Sequence, residues 1–322
     1  MGLKGSGTVS AFEERLISLL NSRKYSLVHL THNDLDAVGG DAIHRMRYGP
    51  VTSIFCSVGS FPQALDAVAA VDGSGTILSI SDLGFQPGIE TRIRKVTEAG
   101  WQIEWRDHHR WSDQDIASVQ GYCSLLRIDT STCACGICAR DLLPDNPVAG
   151  EVARVVCDYD LWKHEDPRSA VLGVVLQRWK NRDYVRDRLV EGVFTDRRIE
   201  EEYQDIVSDM EAKIAQSIRR AAILGTRYKI AFAPLFGYPS ETAARMRKEL
   251  STDIEVLISK EGRFSLRSVP PISHLIAREY GGGGHPNAAG GNFDFSFWDR
   301  IRFRIFGTVP EFSRFVEIAE SI

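Results

Sequence analysis

Nine side chains able to hold a metal ion or move a proton fall in four short clusters: His32, Asp34 and Asp36; Asp82; Asp107, His108 and His109; Asp158 and Asp160. Carboxylates joined by a few imidazoles suit Mn²⁺ or Mg²⁺, whereas a structural zinc site uses mainly thiolate and imidazole in a closed tetrahedron. The inventory is large enough for two ions. Two ions about 3.5 to 4 Å apart can clamp the attacking and leaving oxygens of an in-line displacement at phosphorus. Each member alone has a plainer reading. An aspartate after a strand is often a helix N-cap, and Asp36, ahead of AVGGDAIHRM, could serve that way. The serial placement of the clusters is what argues for a site.

That placement depends on the elements that carry them. Between Tyr25 and about Thr130 the apolar runs YSLVHLTH, VTSIFCSV, GTILSISD and WQIEWRDHH alternate with helix-like stretches, the pattern of a parallel sheet covered by helices on both faces. Three of these runs end directly in the polar clusters. Ligands of open parallel sheets bind beyond the carboxyl ends of the strands, so residues distant in sequence converge there. From Asp196 to Leu224 the chain is rich in helix formers, with Ile199, Tyr203, Ile206, Met210 and Ile214 at spacings of three and four. After it YKIAFAPL, TDIEVLIS and GRFSLRSV read as strands of a smaller domain, interrupted by the helical ETAARMRKEL. The expected fold class is therefore α/β: an N-terminal parallel sheet flanked by helices over 1–195, a long connecting helix over 196–224, and a smaller C-terminal αβ domain over 225–322.

Composition sets limits on partners. A chain of 322 residues exceeds the usual single core, which agrees with two domains. The net charge of −4 excludes the broad basic field that grips long duplex DNA, and a short substrate held locally fits better. No run approaches the ~20 uninterrupted apolar residues of a membrane span. The start MGLKGSGTVSAFEERL lacks the apolar centre of a signal peptide. A cytoplasmic protein with no membrane partner is expected. A homodimer is compatible with the sequence and not dictated by it. The cysteines 56, 123, 133, 135, 138 and 157 lack the regular spread of a secreted disulfide framework, so reduced thiols are expected. Cys133, Cys135 and Cys138 do not match a paired CxxC ribbon. STCACGICARDLL reads instead as a helix entry packed on the sheet.

Taken together, these motifs resemble the DHH phosphoesterases that carry an associated C-terminal domain. Asp107-His108-His109 is the triplet that names the family. THNDLDAVGG, SDLGF and VVCDYDLW resemble its first, second and fourth motifs, and GGGGHPNAAGG resembles the hallmark loop of the associated domain. The resemblance spans roughly residues 28 to 292. It implies that His32 and Asp34 hold one metal, Asp36 and His108 the other, and that Asp82 bridges both. A fourth-motif aspartate completes the ligand set of the second metal. Asp158 or Asp160 matches that position, and Asp158 is preferred because it directly follows the apolar run VARVVC. Asp107 would orient a histidine, and His109 would face the substrate phosphate. The ions are expected to be two divalent cations, manganese first, with magnesium or cobalt as alternatives. Water made nucleophilic at neutral pH would attack phosphorus with no covalent enzyme intermediate.

In the glycine-rich segment, successive residues without side chains expose backbone N–H groups, the requirement for an anion-binding nest, and Ala288 and Ala289 allow close approach. The resemblance implies that Arg267, Gly283, Gly284, His285 and Asn287 grip the phosphate and base of the substrate. The guanidinium fork of Arg267 suits a phosphate. The spacing His-x-Asp-x-Asp from His32 to Asp36 looks like the oligoribonuclease or nanoRNase branch, whereas the RecJ-type single-strand exonucleases begin that motif with aspartate. The expected activity is hydrolysis of short oligoribonucleotides or linear dinucleotides to nucleoside 5′-monophosphates. A 3′-phosphoadenosine 5′-phosphate phosphatase, a RecJ-like exonuclease and a non-catalytic nucleotide sensor are the alternatives.

Overall fold

The computed structural model describes residues 10–25 and 27–322. The chain divides into two compact units, one ending at Tyr203 and the other spanning Gln204–Ile322. The first unit holds a five-stranded sheet of β1 (Leu27–Thr31), β2 (Thr52–Phe55), β3 (Ile77–Ser81), β4 (Gln102–Asp107) and β5 (Cys123–Ile128). All strands are parallel, in the order β2-β1-β3-β4-β5. The fold class is thus the expected α/β one. Helix α1 (Ala11–Asn21) precedes β1, and the helices connecting the strands are α2 (Leu35–Tyr48), α3 (Phe61–Ala69), α4 (Ile89–Glu98) and α5 (Asp113–Gln120). After β5 come α6 (Ala134–Leu142), α7 (Pro147–Asp160), α8 (Pro167–Leu176), α9 (Arg182–Val190) and α10 (Arg197–Ile218).

Period-two alternation in β1 and β3 sends Val28, Leu30, Leu78 and Ile80 into an apolar core with Phe61, Leu65, Trp101 and Trp105. The other face of the same strands carries His29, Thr31, Ser79 and Ser81, all buried. These polar groups satisfy one another. His29 bonds Asp41 of α2 at 3.0 Å through Nδ1 and Ser81 Oγ at 2.8 Å through Nε2. Asp41 also accepts from Ser53 Oγ at 2.6 Å and from Arg45 Nε at 3.0 Å. His44 bonds Ser79 Oγ at 2.8 Å, and its ring stacks on that of His29 with centroids 4.0 Å apart. Beyond this layer α2 packs on α6 and α7 at close range. A Cβ on Gly39 would lie 2.8 Å from both Cys135 Sγ and a methyl of Val156, so only glycine fits there.

The second unit is built on a six-stranded mixed sheet, order β10-β11-β9-β8-β7-β6. Its strands are β6 (Ala222–Leu224), β7 (Ile230–Pro234), β8 (Ile254–Ile258), β9 (Arg263–Ser268), β10 (Gly283–His285) and β11 (Ala288–Asn292), of which β7 and β8 run parallel. Its helices are α11 (Pro239–Leu250), α12 (Ser273–Arg278), α13 (Phe297–Phe306) and α14 (Glu311–Ser321). Ile230, Phe232, Val256 and Leu266 face one core, and Ala231, Ala233 and Leu257 face another beneath Met246 of α11. Residues 222–224, placed by sequence at the end of the connecting helix, form strand β6; the helix stops at Ile218. Among the described residues no helix is long and apolar enough to cross a membrane.

Candidate metal centre

Chain order reverses between β1 and β3, so the connections leaving these neighbouring strands diverge and open a crevice at their carboxyl ends. The expected residues gather there. His32 follows β1, Asp82 follows β3, and Asp107 ends β4 with His108 and His109 directly after it. Three groups of side chains bring their ligand atoms within 4.8 Å of one another: His32, Asp34 and Asp82; Asp36, His108 and Asp160; and Asp82, His108 and His109.

Asp82 links these groups. One carboxylate oxygen lies 3.3 Å from His108 Nε2, and the other lies 3.6 Å from His32 Nδ1 with no hydrogen-bond partner. Its backbone has φ +55°, a left-handed conformation that costs a non-glycine residue on the order of 1 kcal/mol or more, as is common where a site fixes a side chain. The Asp82 N–H donates to Arg106 O of β4 at 3.2 Å, which anchors that turn.

Asp34, not Asp36, caps α2, accepting from Ala37 N at 3.0 Å while its other oxygen meets His32 Nδ1 at 2.7 Å. Asp36 is buried in the first turn of the same helix. Its oxygens accept from Ala134 N at 2.8 Å and Cys135 N at 2.7 Å, the first amides of α6, so a helix N-terminus holds the carboxylate. Its Oδ2 is 3.9 Å from His108 Nε2. Asp107 is fully buried and supports the outer histidine: Oδ1 bonds His109 Nδ1 at 2.8 Å, and Oδ2 accepts from Trp111 Nε1 at 2.7 Å. His109 is left half-exposed with Nε2 turned to no protein partner among the described residues.

Asp158 does not join the group. Its carboxylate accepts from Glu165 N at 2.9 Å, Asp166 N at 3.1 Å and Ser169 Oγ at 2.5 Å, closing the turn between α7 and α8. Asp160 stands in the site instead, 3.7 Å from His108 Nε2. VARVVCDYD is helix α7. In a helix residue 160 falls on the stripe of Val152 and Val156, the face packed on α2, and that four-residue spacing was the available signal.

The electrostatics describe a concentration of negative charge. Burial first, then Asp82, Asp160 and Asp34, raise the Asp36 carboxyl well above its ordinary range. Asp82 is raised by burial, and Asp160 is pushed up to about 6 by burial and by the charges of Asp82 and Asp34. The imidazole of His32 is raised to about 10 by its hydrogen bond to Asp34 and by the adjacent carboxylate of Asp82. His109 is raised chiefly by its bond to Asp107. Buried oxygens of Asp82 and Asp160 find no hydrogen-bond donor. Crowded carboxylates with orphaned oxygens, flanked by imidazole, form a donor set that fits hard divalent cations.

The cysteines correct the expectation of reduced thiols. Cys133, the N-cap residue of α6, and Cys157 of α7 form a disulfide, their Cα atoms brought to 5.2 Å by the packing of the two helices. Cys135 and Cys138 are buried and free in α6.

The glycine-rich segment also differs from an open nest. Gly283–His285 pair antiparallel with Ala288–Gly290 as a hairpin, so part of the backbone is spent in the ladder. Gly284 has φ +144°, and a Cβ there would lie 2.6 Å from Ala288 O. Asn287 is not free for a base edge, since Nδ2 donates to Ser268 O and Val269 O, both at 3.0 Å. Gly283, Gly284 and His285 remain exposed. Arg267 lies in register with Ala288 on one side and Glu255 on the other, and among the described residues it donates to Ser265 Oγ at 3.1 Å, Leu266 O at 3.0 Å and Ser240 Oγ at 3.1 Å.

No family model matches the chain, and no curated protein matches it. Among solved structures the chain is similar to a pGpG-specific phosphodiesterase, PggH, from a Vibrio species, with TM-score 0.57, 11% identity, and coverage of 91% of this chain and 99% of that one. At that identity the likeness shows a shared fold. Lower-scoring similarities are to an exonuclease RecJ bound to manganese (TM-score 0.48, 15% identity, 97% of this chain and 95% of that one) and to RecJ from Thermus thermophilus in complex with Mn²⁺ (TM-score 0.46, 17% identity, 96% and 54%).

Proposed function

We propose that this chain is a metal-dependent phosphoesterase that hydrolyses short oligoribonucleotides or linear dinucleotides to nucleoside 5′-monophosphates. The observation that carries this reading is the array of His32, Asp34, Asp36, Asp82, His108 and Asp160 at the crevice where β1 and β3 diverge. His32, Asp34 and Asp82 would hold one divalent ion. Asp36, His108 and Asp160 would hold a second, with Asp82 shared. Manganese is the first choice for both. Such ions, when bound, supply Lewis acidity at phosphoryl oxygens and a lowered water pKa.

The chain's own groups do the rest. His109, held by Asp107 in one orientation and tautomer, offers Nε2 to a phosphate oxygen or to the departing ribose oxygen. The bond to Asp107 raises its pKa, a shift toward the protonated ring that an acid requires. The crevice itself, rather than a nucleophilic serine or cysteine, organises the reaction: Cys135 and Cys138 are buried thiols whose pKa values are driven up, chiefly by burial. Arg267, which makes no ion pair among the described residues, and His285 would bind the non-reacting part of the substrate, with Gly283 and Gly284 allowing close approach. Asn287 shapes the hairpin that presents them. The pGpG-specific phosphodiesterase has the same fold, which supports a dinucleotide substrate.

Purified protein incubated with Mn²⁺ and, separately, a linear dinucleotide, a longer RNA and 3′-phosphoadenosine 5′-phosphate tests the reading. Mononucleotides released fastest from the dinucleotide support it. Preference for long single strands favours the RecJ-like alternative, preference for the bisphosphate favours the phosphatase, and binding without turnover marks a sensor.

A further inference from the structure

The second unit carries a concentration of positive charge that the catalytic reading does not use. A cavity of about 190 Å³ is walled by Arg220, Lys260, Arg300 and Arg304, over an apolar floor of Phe236 and Phe303. The ion pairs found among the described residues of this unit use Lys213, Arg245, Arg247 and Arg314, and none uses these four cations. No carboxylate lines the cavity, although the chain as a whole is acidic by four charges.

The cavity is separate from Arg267. Phe303 belongs to the core shared by Phe232 and Leu266, so the cavity opens on that face of the second sheet. Arg267 follows Leu266 in β9 and therefore points to the opposite face, where it reaches Ser240 in the first turn of α11.

Helix α13 forms one wall and has a second, different side. Arg300 and Arg304, four residues apart, face the cationic cavity. Trp298, Ile301, Arg302 and Phe306 line a neighbouring groove on the other flank of the helix, with Trp298 74% and Phe306 71% exposed. The helix itself is well specified, with a capping box between Ser296 and Asp299 and Gly307 in the left-handed conformation at its end. Unpaired cations on one flank and exposed aromatic rings on the other are the two components that single-stranded nucleic acid binding needs: phosphate attraction and sequence-tolerant base stacking.

We infer that α13 is a binding site for single-stranded nucleic acid, with backbone phosphates held by Arg220, Lys260, Arg300 and Arg304 and bases stacked on Trp298 and Phe306. The site is independent of the phosphoesterase reading, because it lies on its own sheet face and needs no metal. The apolar floor and the aromatic flank select a nucleotide polymer over free inorganic phosphate.

The test uses the full chain in chelator, so that hydrolysis plays no part. Fluorescence anisotropy follows a labelled single-stranded RNA of about ten nucleotides, within the site sizes of single-strand binders, over a range of salt. Arg300→Glu/Arg304→Glu should weaken binding at least about tenfold, and Arg300→Ala/Arg304→Ala should reduce the log–log salt slope by about 1.4, the share of two phosphate contacts on a single strand. Trp298→Ala/Phe306→Ala should weaken binding with the slope kept. Arg220→Glu/Lys260→Glu lies on other elements and gives an independent reading if the α13 variants fail to fold. RNA affinity untouched by both charge-reversal pairs overturns the inference. So does competition by inorganic phosphate as strong as that by unlabelled RNA, or capture by anionic vesicles with no RNA binding.

Discussion

Asp82 Oδ1 lies 3.3 Å from His108 Nε2, across the ends of two strands that are hydrogen-bonded neighbours. One carboxylate thus belongs to both the His32 group and the His108 group. Asp82→Ala should therefore abolish turnover and lower Mn²⁺ affinity by more than the roughly 10- to 100-fold typical of a supporting residue. Titration calorimetry and a dinucleotide assay check this. Near-normal hydrolysis, once a contaminating nuclease is excluded, would sink the shared-ligand assignment.

The two aspartates of α7 separate metal binding from folding. Asp160→Asn should reduce Mn²⁺ affinity with little change in the melting temperature of the metal-free protein at pH 5, where that carboxyl is already largely protonated in the fold. Asp158→Asn should do the reverse, because it weakens the acceptor of three donors in a buried turn, a loss of about 1 to 3 kcal/mol. The same effect from both variants would count against the division of roles.

Metal and pH should act on stability together. Asp160 is raised to about 6 and His32 to about 10, so in the metal-free fold both favour the protonated state. Stability from Asp160 is full below its unfolded value of about 3.8 and is lost as pH rises through 6. That from His32 is full below about 6.5 and lost as pH rises through 10. Both signs agree: chelated protein should melt lower at pH 8 than at pH 5. Mn²⁺ displaces those protons, so its stabilising effect should grow over the same interval. Calorimetric scans with and without Mn²⁺ at the two pH values decide it; a Mn²⁺ shift that is larger at pH 5 would contradict the assignment.

The Cys133–Cys157 disulfide ties the helix start that holds Asp36 to the helix that ends in Asp160, across 24 residues of chain. On the chain-entropy account such a loop contributes about 3 to 4 kcal/mol. Reduction by a dithiol, or Cys133→Ser/Cys157→Ser, should lower the melting temperature and weaken Mn²⁺ binding, whereas Cys135→Ala should not alter the response to reductant. Equal metal affinity in oxidised and reduced protein would show that the cross-link leaves the site alone.

Arg267→Ala should cost roughly tenfold to a hundredfold in kcat/KM for a dinucleotide, the value of a charge-assisted phosphate contact of about 1.5 to 3 kcal/mol. A minimal phosphodiester that lacks the distant nucleotide should be cleaved as before, with metal content intact. Equal losses on both substrates would place the substrate elsewhere.

The parts of this architecture that were legible in sequence are those where a strand's apolar run breaks abruptly into charge. LVHLT into His32, ILSIS into Asp82 and QIEWRD into His108 announce both a buried strand and its ligand-bearing end. Strand β5 passed unnoticed because CSLLRI is only partly buried at the sheet edge and ends in no such cluster. The choice between Asp158 and Asp160 turned on periodicity: in an extended segment the first would end the run, but in α7 the second shares the packed stripe. The disulfide depends on α6 and α7 packing together, a tertiary fact that spacing along the chain does not encode. Four consecutive glycines signalled close backbone approach, and the approach is that of β10 to β11.

The polar layer beneath the sheet has its own consequence. Ser81, His29 and Asp41 stand in line at 2.8 and 3.0 Å, the order and spacing of a hydrolase triad, yet all three are sealed from solvent. A reagent that traps activated serines would find nothing to react with. What the layer controls is which sequence changes the protein can tolerate. Ser53, Arg45, Asp41, His29 and Ser81 each hold a bond that the next requires, so a single exchange strands a buried partner. Drift among relatives should therefore replace these residues as a set, even while the helix surfaces around them vary freely.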